Sequence, residues 1–299
     1  MNRRILIVLV VILFNCGKNK PEVDTIAHQA EVDAWHARRV EELKGANGWL
    51  NVVGLYWLKE GINTFGCDER NSIVFPKGKM AGQAGYFLVQ NGVVTMQTLP
   101  EANITSRGKE VVTKMIFHPD STDKVVLESG SLQWFIIKRD NLFGVRLRDL
   151  ESEVLKKFTA IERYPVEVAW RLEAELEVPA ERKVLHVTNM LGQTIEQVSP
   201  GTVVFTWAGE KYRLDALEGN EDELFIIVGD ETNGMDTYGA GRYIYVKKPG
   251  ADGKVVLDFN MLYNPPCAFT AYATCLLPPE QNRLPFKVTA GEKNYEEEH

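Results

Sequence analysis

The residues best able to do chemistry cluster in one stretch, 230–242. It holds Asp230, Glu231, Thr232, Asp236, Tyr238 and Arg242, directly after the apolar run 224–228. An arginine there can orient an anionic or carbonyl group while a carboxylate or tyrosine handles protons. Gly234, Gly239 and Gly241 permit tight turns that bring backbone close to a ligand. A second reading is calcium, because oxygen ligands recur at Asp230, Thr232 and Asp236. The EF-hand pattern fails, since its required glycine falls at Met235. A third reading is a turn held by local Asx hydrogen bonds. All three stay open.

Cys267 and Cys275 form a second cluster. In an exported protein such a pair favours a disulfide, with Cys67 left unpaired. Zinc is disfavoured, because no histidine is near in sequence and the cysteine spacing is too wide for a structural site. A cysteine nucleophile needs a base, and only His28, His36, His118, His186 and His299 are available. The prolines of Tyr263-Asn264-Pro265-Pro266 and Leu277-Pro278-Pro279 stiffen the flanks of this segment and argue against interior strands. The segment is expected to form one wall of a concavity whose other wall is the 230–242 loop. Asn264 and Arg283 complete the candidate ligand set, and Asn282 and Glu292 are candidate partners for buried polar groups. No phosphate-binding glycine loop, G-x-S-x-G or H-E-x-x-H occurs, and no cofactor is implied.

The elements that must position these residues begin after an export signal. Arg3 and Arg4 precede an unbroken apolar run, 5–14, too short to span a bilayer and suited to a signal peptide over 1–15. Cys16 follows the run at once and resembles the lipobox cysteine of bacterial lipoproteins, with Leu13 in the expected place and Asn15 departing from the usual small residue. The resemblance implies acylation of Cys16, a tether over 16–23 and a lipid anchor in the cell envelope. The chain of 299 residues carries 34 basic and 41 acidic side chains, a net charge of −7. That balance argues against a nucleic-acid partner. An apolar share of 44% excludes a disordered chain.

Residues 24–47 predict an amphipathic helix. Val32, Trp35, Arg39 and Leu43 recur at three- and four-residue steps, Asp24 or Thr25 can cap the start, and Gly45 ends it. His36 lies beside the stripe and reads as a half-buried surface group. Short strand patterns follow. Residues 86–89 and 93–98 flank Asn91-Gly92, a hairpin signal. Further strands are expected at 124–128, 132–138, 142–148, 166–178, 183–188, 194–198, 202–207, 211–217, 224–228, 243–246, 255–259 and 286–289. The charged stretch 149–158 divides them into a β region over 48–150 and another over 151–299. The predicted fold is therefore mainly β: one helix followed by two β-sandwich or barrel-like regions.

Several C-terminal runs carry a family resemblance. Asp230-Glu231-Thr232-Asn233-Gly234, Thr237-Tyr238-Gly239-Ala240-Gly241-Arg242-Tyr243, Leu257-Asp258-Phe259-Asn260 and Tyr263-Asn264-Pro265-Pro266-Cys267 resemble the DUF1684 family of bacteria and archaea. Ala273-Thr274-Cys275, Asn282-Arg283-Leu284 and Ala290-Gly291-Glu292-Lys293 extend it, as does Gly54-Leu55-Tyr56-Trp57-Leu58, so that it spans roughly residues 35–293; Leu276 departs where proline is expected. The resemblance implies no activity. A second one links Leu58-Lys59-Glu60-Gly61 to Gly66 and Asn71-Ser72-Ile73-Val74-Phe75 with the opening of forkhead-associated sandwiches. Cys67 stands where those domains place their phosphopeptide arginine, and no Ser-x-x-His follows. The leading expectation is an envelope module that binds a small polar ligand or envelope component through its C-terminal β region. The alternatives are a hydrolase using Asp230, Asp236, Tyr238 and Arg242, with Cys267 as a further participant, and a structural or protein-interaction lipoprotein.

Overall fold

The computed structural model describes residues 23–295 of the 299, so the expected signal peptide, Cys16 and most of the expected tether lie outside the described residues. The helix runs Thr25–Lys44, and Asp24 caps it by accepting from the backbone N–H groups of Ile26 and Ala27. The stripe on its inner face starts one step earlier than the sequence reading: His28 is buried together with Val32 and Leu43. The His28 Nε2 lies 2.6 Å from Asp258 Oδ2. Arg39 adds hydrogen bonds of 2.8 Å to Glu292 Oε1 and 2.8 Å to the Asn264 carbonyl. The helix is thus fastened to the C-terminal part of the chain, not to the strands that follow it. Among the described residues no helix is long and apolar enough to cross a membrane.

The first β unit holds two sheets. The six-stranded sheet has the spatial order Val52–Trp57, Leu142–Asp149, Leu132–Arg139, Leu127–Ser129, Thr105–Ser106, Lys109–Glu110. The five-stranded sheet has the order Ile73–Val74, Gly61–Gly66, Gly85–Gln90, Val93–Thr98, Thr113–Phe117. The predicted hairpin is present between Gly85–Gln90 and Val93–Thr98, with Asn91 at φ 53° and Gly92 at φ 77°, the left-handed pair that such a turn requires. One core serves both sheets: Phe65, Phe87 and Met96 from one meet Trp134, Val145 and Leu147 from the other.

The second unit is a six-stranded antiparallel sheet, ordered Arg242–Lys247, Glu223–Val228, Glu210–Glu218, Gly201–Trp207, Arg171–Glu177, Lys254–Asp258. Its first and last strands approach one another, so the sheet curls into a near-closed barrel. Trp170, Phe205, Leu214, Ile226 and Phe259 fill the interior. A separate hairpin, Lys183–Thr188 with Thr194–Ser199, lies beside it. The charged connector forms a short helix, Glu153–Lys157, capped by Ser152.

The strand expected at 124–128 is reduced to Leu127–Ser129, and two further expectations fail for identifiable reasons. The pattern at 166–178 begins with a 3-10 turn, Val168–Trp170, before its strand. Residues 286–289 form no strand. The carbonyls of Val288 and Ala290 accept from the guanidinium of Arg242, and the Val288 N–H donates to Asp230 Oδ1 at 3.2 Å. A buried side-chain pair does the work that a neighbouring strand would do.

Candidate functional site

The 230–242 loop turns inward. Arg242 is fully buried and donates to Asp230 Oδ2 at 2.8 Å and to the carbonyls of Val288, Ala290 and Glu292. The other oxygen of Asp230 accepts from the Thr232 N–H at 2.8 Å and the Thr232 hydroxyl at 2.6 Å. Thr232 is itself buried, and its hydroxyl meets Thr237 at 2.7 Å. Asp236 is exposed, and its carbonyl accepts from the Asn294 N–H. Of the expected oxygen ligands, Asp230 and Thr232 therefore bond each other, while Asp236 belongs to the exposed part of the loop. Tyr238 is half-buried, and burial pushes its hydroxyl up to about 12. Gly241, at φ 88°, approaches Pro278 and the Val228 carbonyl closely, so its freedom serves packing.

The remaining candidates also bind protein. Asn264 is buried, with its N–H on Glu292 Oε2 at 2.7 Å and its amide on the Lys293 carbonyl at 2.7 Å. Asn282 bridges two strands where their pairing has ended: its Oδ1 accepts from the Asp215 N–H and its Nδ2 donates to the carbonyls of Asp215 and Ile227. Arg283 is exposed and pairs through its backbone with Gly229. Glu292 is fully buried, and burial raises its carboxyl above the ordinary range against the pull of Arg39 and the Asn264 N–H.

A different set of side chains converges at the seam between the two β units. Two adjoining cavities, of about 250 and about 200 Å³, share Trp49, Phe225, Tyr243 and Pro266 in their walls. The first reaches Arg39, Tyr245 and Tyr263, and the second reaches Arg139, Arg146 and Cys275. Neither is lined by Asp230, Thr232, Asp236, Tyr238, Arg242, Asn264 or Arg283.

The strand Leu142–Asp149 explains why arginines stand here. Its period of two sends Val145 and Leu147 into the first core and turns Arg146 and Arg148 to the opposite face, towards the second unit. Arg148 is held by Asn47, through Oδ1 at 3.0 Å and the carbonyl at 2.8 Å. Arg139 donates to Thr274 Oγ1 at 3.1 Å. Arg146 is only 6% exposed, yet it makes one long contact, 3.4 Å to the Tyr272 carbonyl, and its Nε is buried without a partner. Its guanidinium carbon stands 5.1 Å from the Trp49 ring centroid. Among the described residues no carboxylate lies within ion-pair distance of Arg139, Arg146 or Arg148. Burial first, then the neighbouring Arg139 and Arg148, pull Arg146 down to about 10. Sequence reasoning missed this group. Its trace was present: two arginines at alternate positions inside an apolar strand have no reason to be there unless that face meets something polar.

Cys275 lines this cleft, and Cys267 adjoins it next to Pro266 of the wall. The Cys267 N–H donates to Cys275 Sγ at 3.0 Å, and the Cys275 N–H returns the bond to Cys267 Sγ at 3.3 Å. Cys67 is far off in the first unit, with its thiol on the Pro76 carbonyl.

With this geometry in place, comparison with known proteins locates the family. Residues 156–293 match the family described as a protein of unknown function, DUF1684, and this part of the chain belongs to it. The match begins after the first β unit, so it is narrower than the sequence resemblance and leaves the forkhead-associated likeness without support. A solved structure, the solution NMR structure of an uncharacterized protein from Haloarcula marismortui, is 30% identical over 47% of this chain and 80% of that one, with a TM-score of 0.40. No curated protein matches the chain.

Proposed function

We propose that the chain is an exported, lipid-anchored binding module of the cell envelope, which seats a small anionic ligand in the seam cleft around Arg146. The sequence reading of a small polar ligand is kept, but its seat moves from the 230–242 loop to the seam. The observation that carries this is the buried guanidinium of Arg146 without a counter-charge, beside Arg139 and over Trp49. A buried charge is costly when unpaired, and an anion held in bidentate geometry offsets that cost. Trp49, Phe225 and Tyr243 supply flat apolar walls for the rest of the ligand. Export and anchoring rest on residues 3–16 of the sequence.

The test is a thermal-melt series with inorganic phosphate, mono- and dicarboxylates and aromatic carboxylates. A ligand present at about a hundred times its Kd should stabilise by ~2.7 kcal/mol, a rise of several degrees. Arg146→Met keeps the stem and removes the charge. It should fold, because no acid is orphaned, and should lose the response. An equal response in the variant, or no response to any anion in the wild type, refutes the proposal.

A further inference from the structure

The seam cleft combines two features that the binding reading alone does not use. One is the unpaired cationic end formed by Arg139 and Arg146. The other is a pair of adjoining thiols of unequal exposure: Cys275 is 8% exposed and lines the cleft, whereas Cys267 is more open. We infer that the cleft is a thiol–disulfide exchange site for small disulfides bearing carboxylates, with the carboxylate on the arginines, Cys267 as the attacking sulfur and Cys275 as the resolving one. This rests on the anion-binding reading of the same cleft.

The reaction balances with the disulfide itself as oxidant. Cys267, having given its proton to solvent, attacks one sulfur of R–S–S–R. A Cys267–S–S–R bond forms and R–S⁻ leaves. The Cys275 thiol then loses its proton to the released thiolate and attacks Cys267 Sγ. The Cys267–Cys275 bond forms, and a second R–S⁻ is expelled. Two electrons pass from the protein dithiol to the small disulfide.

The surroundings fit the roles. The adjoining Cys275 thiol is the main cause that holds Cys267 below the usual thiol range, with Arg146 as a lesser one. Cys275 is held above it, chiefly by hydrogen bonding to Cys267 and then by burial. The more open thiol is thus the better placed to meet a disulfide first, and the buried one lies beside it to resolve the mixed disulfide. The reciprocal N–H···S bonds hold the two sulfurs together without a large rearrangement of the chain.

Three disulfides of similar length separate charge recognition from plain thiol reactivity: 3,3′-dithiodipropionate (anionic), bis(2-hydroxyethyl) disulfide (neutral) and cystamine (cationic). Each rate of thiol loss at Cys267 and Cys275 in the reduced full chain, followed by peptide mass mapping, is divided by the rate with 1-thioglycerol, a neutral thiol. The anionic reagent should exceed the cationic one by at least about tenfold. Arg146→Met should erase that preference. Cys275→Ser should accumulate the mixed disulfide on Cys267, and Cys267→Ser should form little adduct. Normalised rates that are equal, or that favour cystamine, overturn the inference. So does adduct formation that is as fast in Cys267→Ser as in Cys275→Ser. Suberate, the same length without sulfur, separates the two claims. If it raises the melting temperature while exchange shows no charge preference, exchange falls and the anion site stands. If it has no effect and no preference is seen, both fall.

Discussion

Arg242 offers the sharpest single test of the site assignment, because its two possible roles predict opposite signatures. In the structure it is an internal brace. Its guanidinium is fully buried, paired with a buried Asp230 at 2.8 Å and bonded to three carbonyls of the 288–292 segment. Arg242→Met keeps most of the volume but leaves Asp230 charged, buried and facing three unanswered carbonyls. Removing one partner of such a pair costs about 3–5 kcal/mol. With a urea dependence of about 1–3 kcal/mol/M, the unfolding midpoint should fall by more than ~1 M. The effect should also be local. The Val288 amide, bonded to Asp230 Oδ1, should exchange with solvent faster in native-state hydrogen exchange, whereas amides around Trp134 in the first core should not. Anion-induced stabilisation, measured well below the melting temperature, should survive. If Arg242→Met instead stays within about 1 kcal/mol of the wild type and abolishes the anion response, the brace assignment is wrong and the 230–242 loop is the ligand site.

Three further outcomes follow from other contacts. His28→Ala removes the 2.6 Å contact that fastens the helix to Asp258; it should cost about 1–3 kcal/mol and make residues 25–44 the first cleaved in limited proteolysis, and unchanged cleavage counts against the docking role. Burial raises the Glu292 carboxyl above 4.5, so the folded chain holds that proton more tightly than the unfolded one. Its contribution is full below the unfolded pKa and is lost as pH rises through the folded one; the stability of the wild type relative to Glu292→Gln should therefore fall as pH rises from the ordinary carboxylate range through the raised folded value, and a flat difference refutes it. Cys16→Ser should release the protein from the membrane fraction, and normal processing with unchanged membrane retention removes the lipoprotein reading.

What the sequence made legible was the local part of the fold. Helix caps, the Asn91-Gly92 turn and the period-two strands are decided by residues a few positions apart, and they fall close to where they are expected. Strand 286–289 failed because its apolar pattern reports burial alone, and burial does not say whether a strand or an arginine satisfies the backbone. The composition of the candidate loop is open to two readings for a related reason. A loop rich in Asp, Thr, Gly and Arg has the composition of a pocket, but the same groups can pair with one another, and here they do. Cys267 and Cys275 could be singled out by type and spacing. That Cys275 shares a wall with Arg146 depends on the 270–274 segment crossing to the first unit, where Thr270 bonds the Val52 carbonyl, a contact no local pattern encodes.

Two buried arginines, Arg242 and Arg146, stand in contrasting surroundings. The difference between them is electrostatic closure. At ~4 Å and an effective dielectric of about 20, one opposite charge contributes roughly 4 kcal/mol of attraction, which is enough to decide whether a buried guanidinium is at rest. Arg242 has such a charge in Asp230 and three aligned carbonyl dipoles besides. Arg146 has one distant carbonyl, two neighbouring cations that oppose it and an aromatic face. A fold that only needed packing on that strand face could have placed an aliphatic residue there at lower cost, as it does at Val145 and Leu147 on the other side. The unpaired charge is therefore the feature that packing does not account for. It lies where a cleft, three aromatic side chains and Cys275 meet, and that coincidence is what the proposed anion site rests on.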